Sequence, residues 1–171
     1  MSLKSGHRQR LFLILVLTLV SSGCATSWPK PSALFSLGAS QDQVASESSL
    51  VWFERYDDAL AEAKASGKLV LANFTGSDWC KWCVKLENDV LETEEFEQWS
   101  TDRVVLLKLD YPRSGNQTDA IREQNDSLKK KYQITSFPTV LMLNGDGNVV
   151  GKMGYMPQPS AWISRVESQL K

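Results

Sequence analysis

Two cysteines separated by two residues are the side chains of this 171-residue sequence with the clearest chemistry. Cys80 and Cys83 follow an apolar strand-like run, 69–74, and a turn-forming segment, 75–78. If a helix begins here, the first sulfur meets unpaired backbone N–H groups and the positive end of the helix dipole, which lower the pKa of a thiol. We therefore predict that Cys80 attacks disulfides and that Cys83 resolves the mixed disulfide.

Metal binding and a purely structural bridge are the alternatives for this cysteine pair. A structural zinc site needs about four ligands. Besides the pair, the only other cysteine of the chain is Cys24 and its only histidine is His7. His7 falls within the leader described below, so the mature chain is expected to lack histidine. A disulfide across two residues constrains little chain. Redox exchange is therefore favoured, and neither a metal nor a cofactor is expected.

The first residues have the composition of a secretory leader. A positive stretch with Lys4, Arg8 and Arg10 precedes the apolar run 11–20, and small residues follow. The run is shorter than the ~20 apolar residues of a membrane-spanning helix, so a transmembrane anchor is the weaker alternative. We expect residues 1–23 to form a signal peptide that directs export.

Cys24 stands at the end of this leader, where bacterial lipoproteins carry a lipidated cysteine. The preceding Gly23 fits the lipobox that it resembles, but Ser21 replaces the usual leucine-like residue. The alternative is signal-peptidase cleavage after Ala25, with Gly23 and Ala25 as the small pair. We expect lipidation of Cys24, a periplasmic location and anchoring to the membrane through the lipid.

The remaining chain divides into a tether and one domain. Residues 24–48 are rich in Ser, Ala, Pro and Gln and lack periodicity, which favours a flexible tether. Residues 49–171 alternate strand-like and helix-like segments in the order βαβαβαββα, with a hairpin turn at 144–147. This alternation predicts an α/β domain whose central mixed sheet is flanked by helices. The net charge of −1 provides no basic field for nucleic acid.

Three features together resemble the thioredoxin superfamily: a buried strand, a CxxC motif led by tryptophan, and a proline before a later strand. They are the segment 69–74, Trp79-Cys80-Lys81-Trp82-Cys83, and Phe137-Pro138-Thr139. The resemblance covers residues 50–171 and implies a thioredoxin-like fold. The string 74–80 is also similar to that of exported bacterial thioredoxin-like proteins and of thiol-reducing domains that serve the periplasm.

The resemblance implies a substrate-docking surface around the dithiol. It implies a cis peptide bond at Pro138, and it implies that the backbone of Phe137 pairs with a substrate peptide as an added strand. A trans proline that starts an edge strand is the alternative. Trp79 and Trp82 are expected to form an apolar rim for substrate, unless either belongs to the core.

Two departures from the family pattern concern residues that modulate the dithiol. Asn73 occupies the place of a buried aspartate and cannot take up a proton, whereas the partner lysine is retained as Lys108. An unneutralised Lys108 near Cys83 would favour a thiolate there; the alternative is that it snorkels from a strand end. Between the cysteines, Lys81 favours the Cys80 thiolate and the reduced form, but an exposed charge is screened and changes the potential little.

These observations predict an exported protein-disulfide oxidoreductase that acts as a reductase rather than as an oxidase or isomerase. Its expected partners are cysteine-containing exported proteins and a membrane-bound redox protein that resets the dithiol. The alternatives are a dedicated partner of one pathway, such as cytochrome c maturation, and a non-catalytic binding module with a structural disulfide. The segment 110–113 either shapes the rim of the site or simply ends a strand. We expect a monomer.

Overall fold

The computed structural model describes residues 50–115 and 117–171. The predictions for the leader, for Cys24 and for the tether therefore fall outside the described residues. Among the helices of the described part, none is long and apolar enough to cross a membrane.

Five strands form one mixed sheet with the spatial order β1-β3-β2-β4-β5. They are β1 (Trp52–Phe53), β2 (Leu69–Thr75), β3 (Val104–Asp110), β4 (Thr139–Leu143) and β5 (Val149–Met153). β3 runs parallel to both β1 and β2, whereas β4 runs antiparallel to β2 and β5. The three inner strands are almost entirely buried, which accounts for their near-continuous apolar sequences.

Helices cover both faces of this sheet. They are α1 (Tyr56–Ser66), α2 (Lys81–Leu86), α3 (Glu94–Ser100), α4 (Asp119–Lys131) and α5 (Pro159–Gln169). α2 continues without a break into a π-helical segment, Glu87–Leu91, and α2 and α3 together form one helical connection between β2 and β3. The predicted α/β fold and its element order are therefore confirmed.

Alternate residues of the strands build two apolar layers, one on each face of the sheet. On β2, Leu71 packs against the layer of α2, α3 and α5, whereas Val70 and Phe74 pack against that of α1 and α4. Burial of each large apolar side chain contributes ~1.5–3 kcal/mol. Because side chains alternate along a strand, residue 73 lies on the α2 face.

Side-chain caps set the helix boundaries more sharply than periodicity does. α3 begins at Glu94 because the Phe96 N–H donates to Thr93 Oγ1 at 3.3 Å. α1 ends at Ser66, because the following Gly67 adopts a left-handed φ of 72°.

Two tyrosines fix the β4–β5 hairpin against the helices. The Tyr132 hydroxyl donates to the Gly147 carbonyl at 2.8 Å and lies 2.7 Å from the Tyr56 hydroxyl. Gly147 has a left-handed φ of 77°, and a Cβ there would collide with the Tyr56 hydroxyl. The hairpin turn therefore needs glycine for two reasons, its backbone conformation and its close approach to Tyr56.

We expect Gly147→Ala to destabilise the domain more than Gly67→Ala does. Both positions are left-handed, which costs about 1–2 kcal/mol for alanine. At Gly67 nothing lies near a new Cβ, whereas overpacking at Gly147 adds about 1–3 kcal/mol. Urea unfolding of the two variants measures the difference in the free energy of unfolding. Equal losses would show that the Tyr56 hydroxyl moves aside without cost.

Candidate active site

Cys80 lies at the N-cap of α2. The Cys83 backbone N–H donates to Cys80 Sγ at 3.2 Å, and the two cysteines are joined by a disulfide. Cys80 is 7% exposed and Cys83 only 2%. In the reduced state, a thiolate at Cys80 would accept this N–H and face the positive end of the helix. The geometry therefore favours Cys80 as the attacking thiol and Cys83 as the protected one.

The turn between β2 and α2 depends on a small residue. The Cys80 N–H donates to the Gly76 carbonyl at 2.9 Å, which folds the chain back towards the helix start. A Cβ on Gly76 would collide with the Trp79 indole. Glycine at this position therefore allows Trp79 to lie over the turn.

Trp79 connects the dithiol turn to the loops after β3 and before β4. Its indole N–H donates to the Tyr111 carbonyl at 2.8 Å, and its ring meets the Phe137 ring edge-on at 5.6 Å. The Phe137–Pro138 peptide bond is cis, as the resemblance implies, which excludes the trans alternative. Trp79 is 36% exposed, so it is a surface residue rather than part of the core.

The chain before the cis-proline presents an unused backbone edge. Within the described residues, neither the N–H nor the carbonyl of Phe137 makes a hydrogen bond. Neighbouring Ser136 uses its carbonyl to accept from Thr139 Oγ1 at 2.8 Å, which holds the segment in place. An extended peptide can therefore pair with Phe137 as an added strand.

Trp82 lies on the other side of the dithiol. It is 53% exposed and packs 5.3 Å from the ring of Tyr155, so it too is outside the core. The Tyr155 hydroxyl donates to Asp89 at 2.8 Å, and this bond, aided by Lys85 at 3.4 Å, lowers the pKa of Asp89. Sequence reasoning missed Tyr155 because no local pattern signals a contact that spans 66 residues.

Asp78 fastens the loop after β3 to the dithiol turn. Its carboxylate accepts from the Ser114 hydroxyl at 2.7 Å and from the backbone N–H groups of Arg113 and Ser114 at 3.0 and 2.7 Å. These bonds, the Ser114 hydroxyl first, lower the pKa of Asp78 to about 2. A second carboxylate, Asp110, accepts from the N–H and hydroxyl of Ser77.

The segment 110–113 therefore borders the site, which answers the question that its sequence left open. The Tyr111 ring meets Phe137 at 5.2 Å, and the Arg113 guanidinium lies 4.6 Å from the centre of the Trp79 ring. Burial raises the pKa of Tyr111 well above its usual range, so its hydroxyl stays protonated. The segment forms a rigid rim beside the dithiol.

Asn73 and Lys108 are neighbours in register on β2 and β3, on the face that α2 covers. Asn73 is buried, and its Oδ1 has no hydrogen-bond partner among the described residues. The Lys108 ammonium lies 2.8 Å from Glu87, which follows Cys83 by one helical turn. Glu87 therefore neutralises Lys108, so Lys108 is not the unpaired cation that would favour a thiolate at Cys83. Sequence reasoning missed Glu87, although its four-residue spacing from Cys83 was visible.

The immediate surroundings of the dithiol contain a cation without an ion-pair partner. Lys81, between the cysteines, is exposed and makes no ion pair within residues 50–115 and 117–171. In that same part of the chain, no group of three or more His, Cys, Asp or Glu side chains is placed to share a metal ion. The Lys81 ammonium is thus available to a thiolate or to substrate.

A CxxC pair at the start of a helix, with a cis-proline before the neighbouring strand β4, is the arrangement typical of thioredoxin-like proteins. A family model described as a thioredoxin-like domain matches residues 56–167, and the chain belongs to this family. The resemblance stated from sequence is therefore confirmed.

Similar proteins narrow the chemistry to thiol–disulfide exchange. The chain is 34% identical over 123 residues to disulfide bond reductase DsbH of Chlamydia pneumoniae, covering 71% of this chain and 74% of that protein. It is 32% identical over 106 residues to thioredoxin-related protein DsbJ of the same organism, covering 62% and 30%. A solved DsbH oxidoreductase structure matches with a TM-score of 0.68 at 33% identity, covering 71% and 84%. These likenesses support a protein of the thiol–disulfide oxidoreductase type.

The hydrogen bonds that Asp78 accepts should make the free energy of unfolding depend on pH in acid. The folded pKa of about 2 lies below the ordinary value of 3.8, so the folded protein binds fewer protons than the unfolded chain between these values. The stabilisation is complete above pH 3.8 and is lost as the pH falls through about 2. Urea unfolding from pH 5 to pH 2 should show a smaller decline for Asp78→Asn than for the unmodified chain. If Asp78→Asn and the unmodified chain lost the same free energy of unfolding, this role of Asp78 would be contradicted. Ser114→Ala, which removes only the hydroxyl donor, should show an intermediate loss.

Removing the partner of Lys108 should favour the reduced dithiol. Glu87→Gln leaves the ammonium unneutralised beside the helical run that carries Cys83, so a thiolate there is stabilised. We expect the reduction potential to rise by about 10–30 mV, since 30 mV corresponds to about 1.4 kcal/mol for two electrons. Equilibration with glutathione measures the change, and Glu95→Gln on the exposed side of α3 is the control. A potential that stays constant or falls would contradict this role of Glu87.

Proposed function

We propose that this chain is an exported protein-disulfide reductase in which Cys80 attacks and Cys83 resolves. The observation that carries the proposal is the position of Cys80 Sγ at the N-cap of α2, 3.2 Å from the Cys83 N–H. The reductase direction is supported by the likeness to a protein named disulfide bond reductase, of which the alignment covers 74%.

The reaction exchanges one disulfide for another. The Cys80 thiolate attacks one sulfur of the substrate disulfide, and the other substrate sulfur leaves as a thiolate and takes up a proton. Cys83 then loses its proton and attacks Cys80 Sγ, which releases the second substrate thiol. The substrate gains two electrons and two protons, while Cys80 and Cys83 become a disulfide. No cofactor takes part.

Substrate docking uses the surface around the dithiol. The unused backbone edge at Phe137 pairs with the peptide that carries the substrate cysteine, and Pro138 holds that edge beside Cys80. Trp79 and Trp82, both exposed, provide apolar contacts on the two sides of the disulfide. In this proposal, the substrate approaches the Cys80–Cys83 pair between the two tryptophans.

A second protein must return the dithiol to its reduced form. We propose a membrane-bound redox partner, because an exported compartment lacks the cytosolic pool of reductants. In this proposal residues 1–23 direct export to the periplasm, a lipid on Cys24 anchors the chain, and residues 24–48 tether the domain 49–171. The tether would allow the dithiol to reach both the membrane partner and its clients.

Trapping tests the proposal directly. Reduced Cys83→Ser should accumulate a mixed disulfide with a disulfide-containing substrate protein, because the resolving step is removed. Cys80→Ser, the matched control, should form it at least about 100-fold more slowly, since its remaining thiol is buried and lacks the helix start. Failure of Cys83→Ser to form a covalent complex would contradict the proposed function. Complexes recovered from the native compartment would separate a general reductase from a partner dedicated to one pathway.

A further inference from the structure

We propose that the docking surface around Phe137 selects substrate cysteines that are flanked by acidic side chains. The inference rests on the proposed function, because it specifies the substrates of the same site. It comes from four cations carried by α2, by the loop after β3 and by α4, which we call the basic rim. They are Lys81, Arg113, Lys129 and Lys130.

Two of these cations lie directly over the rings that border the docking edge. The Arg113 guanidinium is 4.6 Å from the centre of the Trp79 ring, and the Lys129 ammonium is 5.3 Å from that of Phe137. The Lys129 ammonium is also 5.5 Å from the Tyr111 ring. Because Trp79 and Tyr111 both contact Phe137, both charges lie over rings that border the docking edge.

The other two cations of the basic rim are Lys81 on α2 and Lys130 on α4. Lys81 is exposed between the cysteines, and Lys130 is exposed beside Lys129 on α4. A groove of about 450 Å³ is lined by Thr135 and by both α4 lysines. None of the four cations forms an ion pair within the described part of the chain.

The acids of this region do not neutralise the basic rim at the surface that a substrate meets. The carboxylate oxygens of Asp78 and Asp110 accept from N–H and hydroxyl donors of the surrounding loops. Asp78 is exposed, and so is Asp126, which lies on α4 and lines the same groove as Lys129. Two exposed acids, one of them already engaged by loop donors, therefore oppose four cations.

The chemistry of the basic rim matches a carboxylate better than any other side chain. A guanidinium presents N–H groups in a fork that can bind a carboxylate with two hydrogen bonds. Attraction between opposite charges also speeds the encounter that precedes disulfide attack, and salt weakens it. Acidic residues near the substrate cysteine should therefore raise the rate of mixed-disulfide formation.

The test uses three peptides that differ only in charge. Each contains one internal disulfide, and the residues beside its cysteines are all Glu, all Gln or all Lys. Stopped-flow fluorescence of reduced full-length protein gives the second-order rate constant at low and high salt. Each rate is divided by that of neutral dithiothreitol with the same peptide, because flanking charge also changes the intrinsic reactivity of a disulfide.

At low salt, we expect the Glu peptide to react about tenfold faster than the Lys peptide, and the ratio to approach one at high salt. Arg113→Gln with Lys129→Gln should reduce this ratio to about a third or less while the Gln peptide still reacts. Lys152→Gln, an exposed cation of β5 without an ion pair among the described residues, should leave the ratio unchanged.

The outcomes separate this inference from the proposed function. Equal normalised rates for the three peptides, with measurable exchange, would overturn the acidic preference and leave the reductase proposal intact. A preference that persists in the Arg113→Gln, Lys129→Gln double variant would overturn the assignment to the basic rim. If none of the peptides is reduced, the proposed function and this inference fail together.

Discussion

The placement of Cys80 Sγ at the first turn of α2 is the constraint on which the rest of the site depends. A thiolate at that point accepts a backbone N–H and faces the positive end of a helical run that extends through Leu91. The run begins there because β2 delivers the chain to a tight turn at Gly76. The sheet holds this turn in position, because its inner strands are buried.

One aromatic side chain links the loops that border this helix start. Trp79 donates a hydrogen bond to the Tyr111 carbonyl and contacts Phe137. It therefore holds the loop after β3 and the cis-proline loop against the dithiol turn. Asp78 strengthens the same connection through the backbone of Arg113. The dithiol turn and the proposed docking surface therefore share one framework, and the basic rim is carried by α2, the loop after β3 and α4.

Most of the fold could be predicted from sequence because its signals are local. Apolar runs, the glycine after α1 and the hairpin turn define the elements, and the spacing of Cys80 and Cys83 defines the dithiol. The cis state of Pro138 came from family resemblance and not from any local rule. The contacts of Glu87 and Tyr155 could not be predicted, because they join elements far apart in sequence and depend on strand register and loop path. That Asn73 Oδ1 has no hydrogen-bond partner among the described residues is likewise a property of the packed core.

The most direct test of the central claim is the pH dependence of alkylation at each cysteine of the reduced protein, resolved by mass spectrometry. An unperturbed thiol titrates near pH ~8.5, and a helix start lowers that value. The account predicts that Cys80 is alkylated with a midpoint well below this value, while Cys83 stays unreactive over the same range. It would be contradicted if Cys80 titrated as an ordinary thiol, or if Cys83 reacted first.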